Sequence, residues 1–429
     1  MRYDPIDPQL FISNRSRLRE LLPKNSLVVL NANDILPTNA DGTMKLRQNS
    51  DLYYLSGIDQ EDTILVLYPD APDPKQREML FLKETSELIA VWEGQKHTKK
   101  TAIKTSGIED IHWLDAFHNI FRMLMKQADH VFLNTNEHAR AADTVETRDL
   151  RFIRETQRAY PLHDYRRLAP LTEELRTIKS DLEVAVIKRA CDITESGFRR
   201  VLEFIKPGVK EYEIEAELIH EYVRHGSDGF AYDPIIGSGA NACVLHYLEN
   251  HDTCQDGEMV LMDVASRYAN YNSDLTRTVP VNGRFTGRQR DVYNAVHRTM
   301  DKCNEMLRPG VLIKEYQEEV GLLVQAELLQ LGLISQSDVD EQDPDKPAYK
   351  KDFMHGTSHH IGLDVHDVGD TSLPVRPGMV FTIEPGIYIR EQKLGVRLEN
   401  NYLIGEDKNI DLMETIPVDA DEIESLMNS

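Results

Sequence analysis

The chain is short of positive charge: 49 lysines and arginines face 72 aspartates and glutamates, leaving a formal net charge of −23. A sequence-independent grip on a phosphate backbone needs clustered Lys and Arg that release counterions, so nucleic acid is not expected as a partner. Cysteine is also scarce. Cys191, Cys243, Cys254 and Cys303 lie far apart with no C-x-x-C, which argues against a disulfide framework or a zinc knot and for reduced, mostly buried thiols. Long apolar runs are missing as well. Nothing approaches the roughly 18 residues of a membrane span, and Met1-Arg2-Tyr3-Asp4-Pro5 lacks the apolar core of a signal peptide. No membrane partner is expected, and the cytoplasm is the expected compartment.

What the chain does have is an ordinary globular composition, 41% hydrophobic and 28% charged, over 429 residues. That length favours two or three units, each able to bury its own core. Ser26 to Asn31 (SLVVLN), Asp62 to Leu67 (DTILVL) and Glu78 to Phe81 read as buried strands, because they are short runs rich in β-branched residues and Leu. The spacing predicts a helix over Asp110 to Lys126 and an extended segment over Val131 to Asn134. Such an α and β alternation, ending near residue 165, suffices for a domain of its own. A Pro-containing turn, Leu168-Ala169-Pro170-Leu171, marks the boundary, so residues 1–171 and 172–429 are expected as separate domains of an α/β (α+β) protein. In the following helical segment Ser180-Asp181-Leu182-Glu183 matches a capping box, which marks either a helix start or a bend. Arg288 to Leu307 reads as a second long helix, stopped by Pro309-Gly310. Residues 335–347 are acidic and Pro-containing and read as a solvated loop.

The chemistry concentrates in two segments. Residues 259–281 contain two strand-like runs; a hairpin centred between Tyr268 and Ala269 would set Asp263 directly opposite Asp274. In residues 381–404, a hairpin centred between Glu391 and Gln392 would oppose Glu384 and Glu399. All four acids sit in or beside apolar runs. Crowded, half-desolvated carboxylates repel one another unless positive charge neutralises them, and a metal site is the simplest remedy. Four carboxylates would balance two divalent ions, and oxygen-rich ligation with one imidazole suits Mn²⁺, with Zn²⁺ or Co²⁺ as alternatives. Histidines come from HGTSHHIGLDVHD (residues 355–367) and from His246. The nearby Gly-Ser-Gly, residues 237–239, is weak as a phosphate loop because no strand-to-helix context with a lysine follows.

The ordered series Asp263, Asp274 in SDLTRT, His359 in HGTSHHIG, Glu384 in EPGIYI and Glu399 in GVRLEN resembles the metal-ligand set of the aminopeptidase P and prolidase group. The resemblance reaches the N-terminal part, where RQNSDLYYLSG (residues 47–57) is similar to that group's signature, and so covers nearly the whole chain. It implies a C-terminal "pita-bread" catalytic domain, with Asp263 on one metal, His359 and Glu384 on the other, and Asp274 and Glu399 bridging. An activated water would attack the carbonyl of an Xaa-Pro bond, with Glu384 accepting its proton. His246 and His366 match outer histidines that stabilise the developing oxyanion and the leaving nitrogen. His355 and Arg397 match residues of the proline-side pocket, with Arg397 also available to hold a ligand carboxylate. Two departures stand out: Val264-Ala265 follows Asp263 where Ala-Gly is common, and His360 stands where an aromatic is expected, so the pocket wall is expected to differ.

The resemblance leaves three readings: an Xaa-Pro aminopeptidase, an Xaa-Pro dipeptidase, and a non-catalytic binding module of the same fold. RQNSDLYYLSG, and Ser358 before His359, look closer to the aminopeptidase, and retention of all five ligand positions speaks against the binding module. Methionine aminopeptidase shares the catalytic fold, but the N-terminal domain and the context of His246 and His366 point to the proline-specific branch. A homodimer or homotetramer is implied by family analogy.

Overall fold

A computed structural model of the chain describes residues 2–142 and 144–429. It divides into two compact units, Pro5–Arg176 and Thr177–Ser429, with the first residues up to Asp4 belonging to the second. The division thus falls after Arg176 rather than after Leu171. The reason lies in the helix that begins with the Pro-containing turn. The Leu175 carbonyl accepts from Tyr54 Oη at 3.2 Å, and Arg176 pairs with Asp51 at 2.9 Å, so that helix completes the first unit.

The first unit runs α1 (Gln9–Leu21), β1 (Ser26–Asn31), α2 (Ser50–Ser56), β2 (Ile64–Leu67), β3 (Glu78–Leu82), α3 (Glu87–Glu93), α4 (Lys99–Ser106), β4 (Asp110–Trp113), α5 (Phe117–Met125), β5 (His130–Leu133), α6 (Arg148–Ala159), β6 (Asp164–Arg167) and α7 (Ala169–Thr177). Its strands form one mixed sheet in the order β4-β3-β2-β1-β5-β6. The central β1 is buried along its whole length, as its unbroken apolar run requires. Leu27, Val29, Val66, Phe81, Phe121 and Val131 belong to one core cluster. The helix expected over Asp110 to Lys126 is wrong in its first part. Asp110 to Trp113 instead extends the sheet, parallel to β3 in the register Met79 to Asp110, and α5 begins only at Phe117. Pairing with an open strand edge overrides local helical preference there.

The second unit continues with α8 (Asp181–Phe204), α9 (Glu211–Arg224), β7 (Ile235–Ser238), β8 (Met259–Asp263), β9 (Arg267–Tyr268), β10 (Tyr271–Asn272), β11 (Thr276–Pro280), α10 (Gly287–Met306), α11 (Ile313–Gln330), α12 (Gln336–Asp340), β12 (Val380–Ile383), β13 (Gly386–Ile389), β14 (Leu394–Arg397), β15 (Asn400–Leu403), β16 (Ile410–Asp411) and α13 (Ala420–Met427). A new helix starts at the capping box: Ser180 Oγ accepts from Glu183 N, and the Glu183 carboxylate accepts from Ser180 N. The acidic segment 335–347 is not wholly loop, because Ser335 and Asp338 form another capping box, at the start of the short α12. All four cysteines are free and buried. Among the described residues, no helix is long and apolar enough to cross a membrane. Gly237 answers to packing, since a Cβ there would lie 2.8 Å from the Asn241 carbonyl oxygen.

The two hairpins differ in how they meet expectation. The second keeps the expected register, with Ile383 opposite Asn400 and Gly386 opposite Arg397, which leaves Glu384 and Glu399 facing across the interruption between the two ladders. In the first, Asp263 pairs with Thr276 rather than Asp274. Its two-residue turn is Ala269-Asn270, with φ of 49° and 65°, flanked by the pair Tyr268 and Tyr271. Two successive positive φ values are the requirement of a tight hairpin turn, and Asn serves it well. The turn therefore sits one residue later than expected and the register shifts by two, which keeps both aspartates on one face.

Ser180→Ala removes one half of the α8 capping box and is expected to destabilise the second unit by about 1 kcal/mol. Urea unfolding followed by circular dichroism checks this, since both tryptophans, Trp92 and Trp113, lie in the first unit and their fluorescence reports elsewhere.

Candidate metal centre

Each acid is delivered where a ladder stops. Asp263 ends β8, and Asp274 lies between β10 and β11. With no strand partner, the Asp274 backbone is held by an amide side chain: its N–H donates to Asn401 Oδ1 at 3.0 Å and its carbonyl accepts from Asn401 Nδ2 at 2.9 Å. Glu384 follows β12 and donates its N–H to the Thr357 carbonyl at 2.8 Å, while Glu399 N–H donates to the Thr276 carbonyl at 3.0 Å. His359 is pinned to β12, its N–H on Thr382 Oγ1 and its carbonyl accepting from Thr382 N–H.

These five side chains converge. Asp274, His359 and Glu399 each offer a ligand atom, all within 4.8 Å of one another. His359 Nε2 lies 3.5 Å from Asp274 Oδ2 and 3.8 Å from Glu384 Oε1. Asp263 joins through Tyr232, whose hydroxyl is 2.5 Å from Asp263 Oδ1 and 2.6 Å from Asp274 Oδ1. A phenol has one hydrogen to donate, so the second of these contacts needs a proton on a carboxyl.

The electrostatics agree with that need. Burial pushes the Asp263 carboxyl above its ordinary range despite Arg397 beside it, and burial together with the charges of Asp274, Glu384 and Asp263 pushes Glu399 well up. Burial raises Glu384 to about 7 even with His359 and Arg397 opposing. For His359 burial works against the charged form, but the hydrogen bond to Asp274 and the charge of Glu384 outweigh it and bring the imidazole to about 8. In this setting Glu399 Oε1 is buried and has no hydrogen-bond partner among the described residues. An acceptor-only oxygen left bare beside three other acids is the mark of a cation site, and carboxylates with one imidazole are the donors a hard or borderline divalent ion takes. The residues present fit such ions.

The remaining expected residues surround this cluster. His366 is exposed and packs its ring edge-on to His359, with centroids 4.4 Å apart. His355 Nε2 lies 2.7 Å from Tyr388 Oη, and burial with the nearby Arg397 lowers its pKa to about 4. His246 is exposed, close enough to His355 for its charge to act there. Arg397 is 4% exposed, and its guanidinium donates to Thr276 Oγ1, Tyr388 Oη and Asp263 Oδ2. His360, expected to alter the pocket wall, is buried instead with its ring on Phe381 at 4.1 Å, so packing absorbs the departure.

Three site residues escaped the sequence reading. Thr276 donates to Glu399 Oε2 at 2.7 Å, and its position two residues after Asp274 on the same strand face could have found it. Tyr388 stands on the face of Glu384 by the same alternation. Tyr232 carries no such signal, for nothing in Ala231-Tyr232-Asp233 sets it apart.

Comparison with known proteins agrees with this architecture. The model of metallopeptidase family M24 matches residues 185–406, and that of the aminopeptidase P N-terminal domain matches residues 11–132. The chain is 34% identical to Xaa-Pro aminopeptidase of Escherichia coli over 98% of both chains, and 32% identical to that of Haemophilus influenzae over 97% of both. A solved Escherichia coli aminopeptidase P in complex with substrate superposes with a TM-score of 0.87 at 32% identity, covering 99% of each chain. The fold is the mixed helix-and-sheet, pita-bread architecture of those structures. By family model, by identity over nearly its full length and by fold, the chain belongs to metallopeptidase family M24, within its aminopeptidase P group.

Proposed function

We propose that this chain is a two-metal Xaa-Pro aminopeptidase, which removes the first residue from peptides whose second residue is proline. The observation that carries the reading is the convergence of Asp274, His359 and Glu399, with Asp263 and Glu384 beside them, around an unpartnered Glu399 oxygen. Asp263, Asp274, His359, Glu384 and Glu399 would hold two divalent ions, with Mn²⁺ favoured by the oxygen-rich donor set. A zinc-substituted form is known for the Escherichia coli aminopeptidase P, to which this chain is 33% identical, with a TM-score of 0.86. When bound, the ions lower the pKa of water and polarise the scissile carbonyl.

The chain's own groups supply the rest. Glu384, 3.8 Å from His359 at the edge of the donor set, would take a proton from water and return it to the leaving nitrogen. His366, edge-on to His359, and His246 are the exposed imidazoles assigned to a developing oxyanion and to the departing proline nitrogen. His355, kept neutral, lines the proline side with Tyr388 behind it. Of the two roles expected for Arg397, its three internal bonds favour holding Asp263 over touching substrate. The length preference follows the likeness of RQNSDLYYLSG and Ser358 to aminopeptidase P. We place the enzyme in the cytoplasm, where four unpaired thiols stay reduced, and infer a homodimer or homotetramer. Leu88, Val91 and Trp92, 69%, 79% and 81% exposed on α3, support self-association.

Xaa-Pro-Yaa tripeptides are expected to be cleaved efficiently with release of Xaa, and turnover confined to Xaa-Pro dipeptides would overturn the aminopeptidase assignment. Glu384→Gln and Asp274→Asn are each expected to lower kcat by about 10³-fold or more, because each removes a proton acceptor or shared ligand that acts in concert with the others. Near-normal rates in either variant would refute these roles.

Metal removal is expected to show a pH signature. Folded-state pKa values of about 7 for Glu384 and about 8 for His359 exceed their ordinary 4.5 and 6.5. The stability these groups contribute is present at low pH and is lost as pH rises through the folded values. His355, depressed to about 4, opposes this loss only while the unfolded imidazole still titrates around 6.5, and its contribution fades as pH rises further. Between pH 6.5 and 8 the chelated protein is therefore expected to lose thermal stability, while the Mn²⁺-loaded protein, with its carboxylates already ionised, loses less. Calorimetry of the two forms side by side gives the gap, which should widen with pH.

A further inference from the structure

Two of the imidazoles at the centre, His359 and His366, ride on one short irregular segment, and something must hold it. One oxygen lies at its middle. The His360 carbonyl accepts from His359 Nδ1–H at 2.9 Å and from Asp367 N–H at 2.9 Å. The first bond keeps the proton on Nδ1 and turns Nε2 toward Asp274 and Glu384; the second ties that same oxygen to the residue after His366. The Asp367 side chain then leaves the centre and meets Lys179 at 3.0 Å, each side chain 1% exposed.

This ion pair is hard to explain as a source of stability alone. Withdrawing two charges from water costs about as much as their attraction returns, and a well-packed apolar pair does as well or better. What it provides that an apolar pair cannot is direction. The ammonium comes from the turn between α7 and α8, where Lys179 N–H donates to the Gly378 carbonyl, so the lysine approaches from outside the segment. Gly362 makes room: a Cβ there would lie 2.3 Å from Asp367 Oδ2 and 3.1 Å from Lys179 Cε. Asn272 also grips the segment, its Nδ2 donating to the carbonyls of Gly362 and Leu363 at 3.1 and 2.9 Å. Glu183 and the neutral His360 are the other titratable groups near the lysine.

We infer that Lys179 and Asp367 form a buried positioning pair that sets the orientation of His359 as a metal ligand and of His366 as a donor to substrate. Neither residue touches the reacting atoms. The inference rests on the ligand role of His359 proposed above and adds the device that aims it.

The test uses full-length Asp367→Asn, nearly the shape of the parent, with Lys179→Met as a second variant and His359→Ala as a control. Manganese titration of the chelated proteins by calorimetry is expected to show the parent taking two equivalents. Asp367→Asn should weaken one equivalent by about tenfold or more, in the range that loss of an outer partner produces. On an Xaa-Pro-Yaa tripeptide kcat should fall by about tenfold with KM changed by less than about threefold, because the proposed defect lies in aim rather than in binding. In the zinc-loaded, ¹⁵N-histidine-labelled proteins the slowly exchanging Nδ1–H signal of His359 should be present in the parent and broadened or lost in Asp367→Asn. This reading on the conservative variant stands even if Lys179→Met does not fold. A folded Asp367→Asn with a lower melting temperature but parental metal affinity, kcat and imidazole signal would show the pair to be structural only and overturn the inference. If His359→Ala keeps both equivalents, the ligand assignment itself falls and this inference with it; if His359→Ala loses one and Asp367→Asn loses none, only the positioning role falls.

Discussion

The constraint on which this half of the molecule depends is mutual repulsion among acids held away from water. Asp274 and Glu399 place oxygens within 4.8 Å of each other, and both side chains are nearly inaccessible. At an effective dielectric near 20, two full charges at that distance cost about 3 to 4 kcal/mol, and Asp263 and Glu384 add further like-charged pairs. A neutral hydrogen bond returns only about 1 kcal/mol. Thr276 and Tyr232 therefore cannot neutralise the cluster. The chain sets one guanidinium on Asp263 and one imidazole near Asp274 and Glu384, and still leaves a Glu399 oxygen without a partner among the described residues. The raised pKa values are that deficit seen from the proton's side. Cations complete the site electrostatically before any question of chemistry arises.

A second buried cation, Arg277, shows the same accounting applied to backbone. It is fully inaccessible and makes no ion pair among the described residues; its five N–H donors go to Pro417 O, Thr276 O, Glu399 O, Ile416 O and Asn400 Oδ1. All five donors of the guanidinium fork are thus matched. Two of those acceptors are the carbonyls of Thr276 and Glu399, residues already joined by the Thr276 Oγ1 bond, so the arginine braces the strands that carry Asp274 and Glu399 from behind. Ladder bonds could not do this, because the ladders are interrupted at the very residues that carry the acids.

That interruption explains what could and could not be read from the sequence. Strand alternation is a parity rule, and parity survives the displaced turn of the first hairpin: a turn moved by one residue shifts register by two and leaves Asp263 and Asp274 on one face. The second hairpin keeps its register because Glu384-Pro385 and Leu398-Glu399 interrupt both strands at matching points. Although a helix start and a bend stayed open at Ser180 until the structure showed a start, the capping box there was legible for the same local reason. The extension of the first sheet by Asp110 to Trp113 was not, since only the open edge of β3 decides it. Nor was Tyr232, which acquires its place between two aspartates through a contact 31 and 42 residues away along the chain. Local pattern identified the acids; tertiary contacts supplied the groups that hold them.

The histidine segment is the part of the site with least regular structure and most at stake. Beyond the pairing of His359 with Thr382, its carbonyls at His360, Gly362 and Leu363 accept from His359 and Asp367 within the segment and from Asn272 outside it. An irregular backbone costs conformational entropy to fix, about 1 to 2 kcal/mol per residue, and only the short bridge of residues 359–361 to β12 shares that cost. Beyond that bridge, the buried Lys179 and Asp367, the Asn272 amide and the packing of His360 on Phe381 stand in for a longer ladder. Such a solution trades the redundancy of a sheet for a few directional contacts, which is what a segment needs when it must present two imidazoles, one inward and one to solvent, within eight residues of chain.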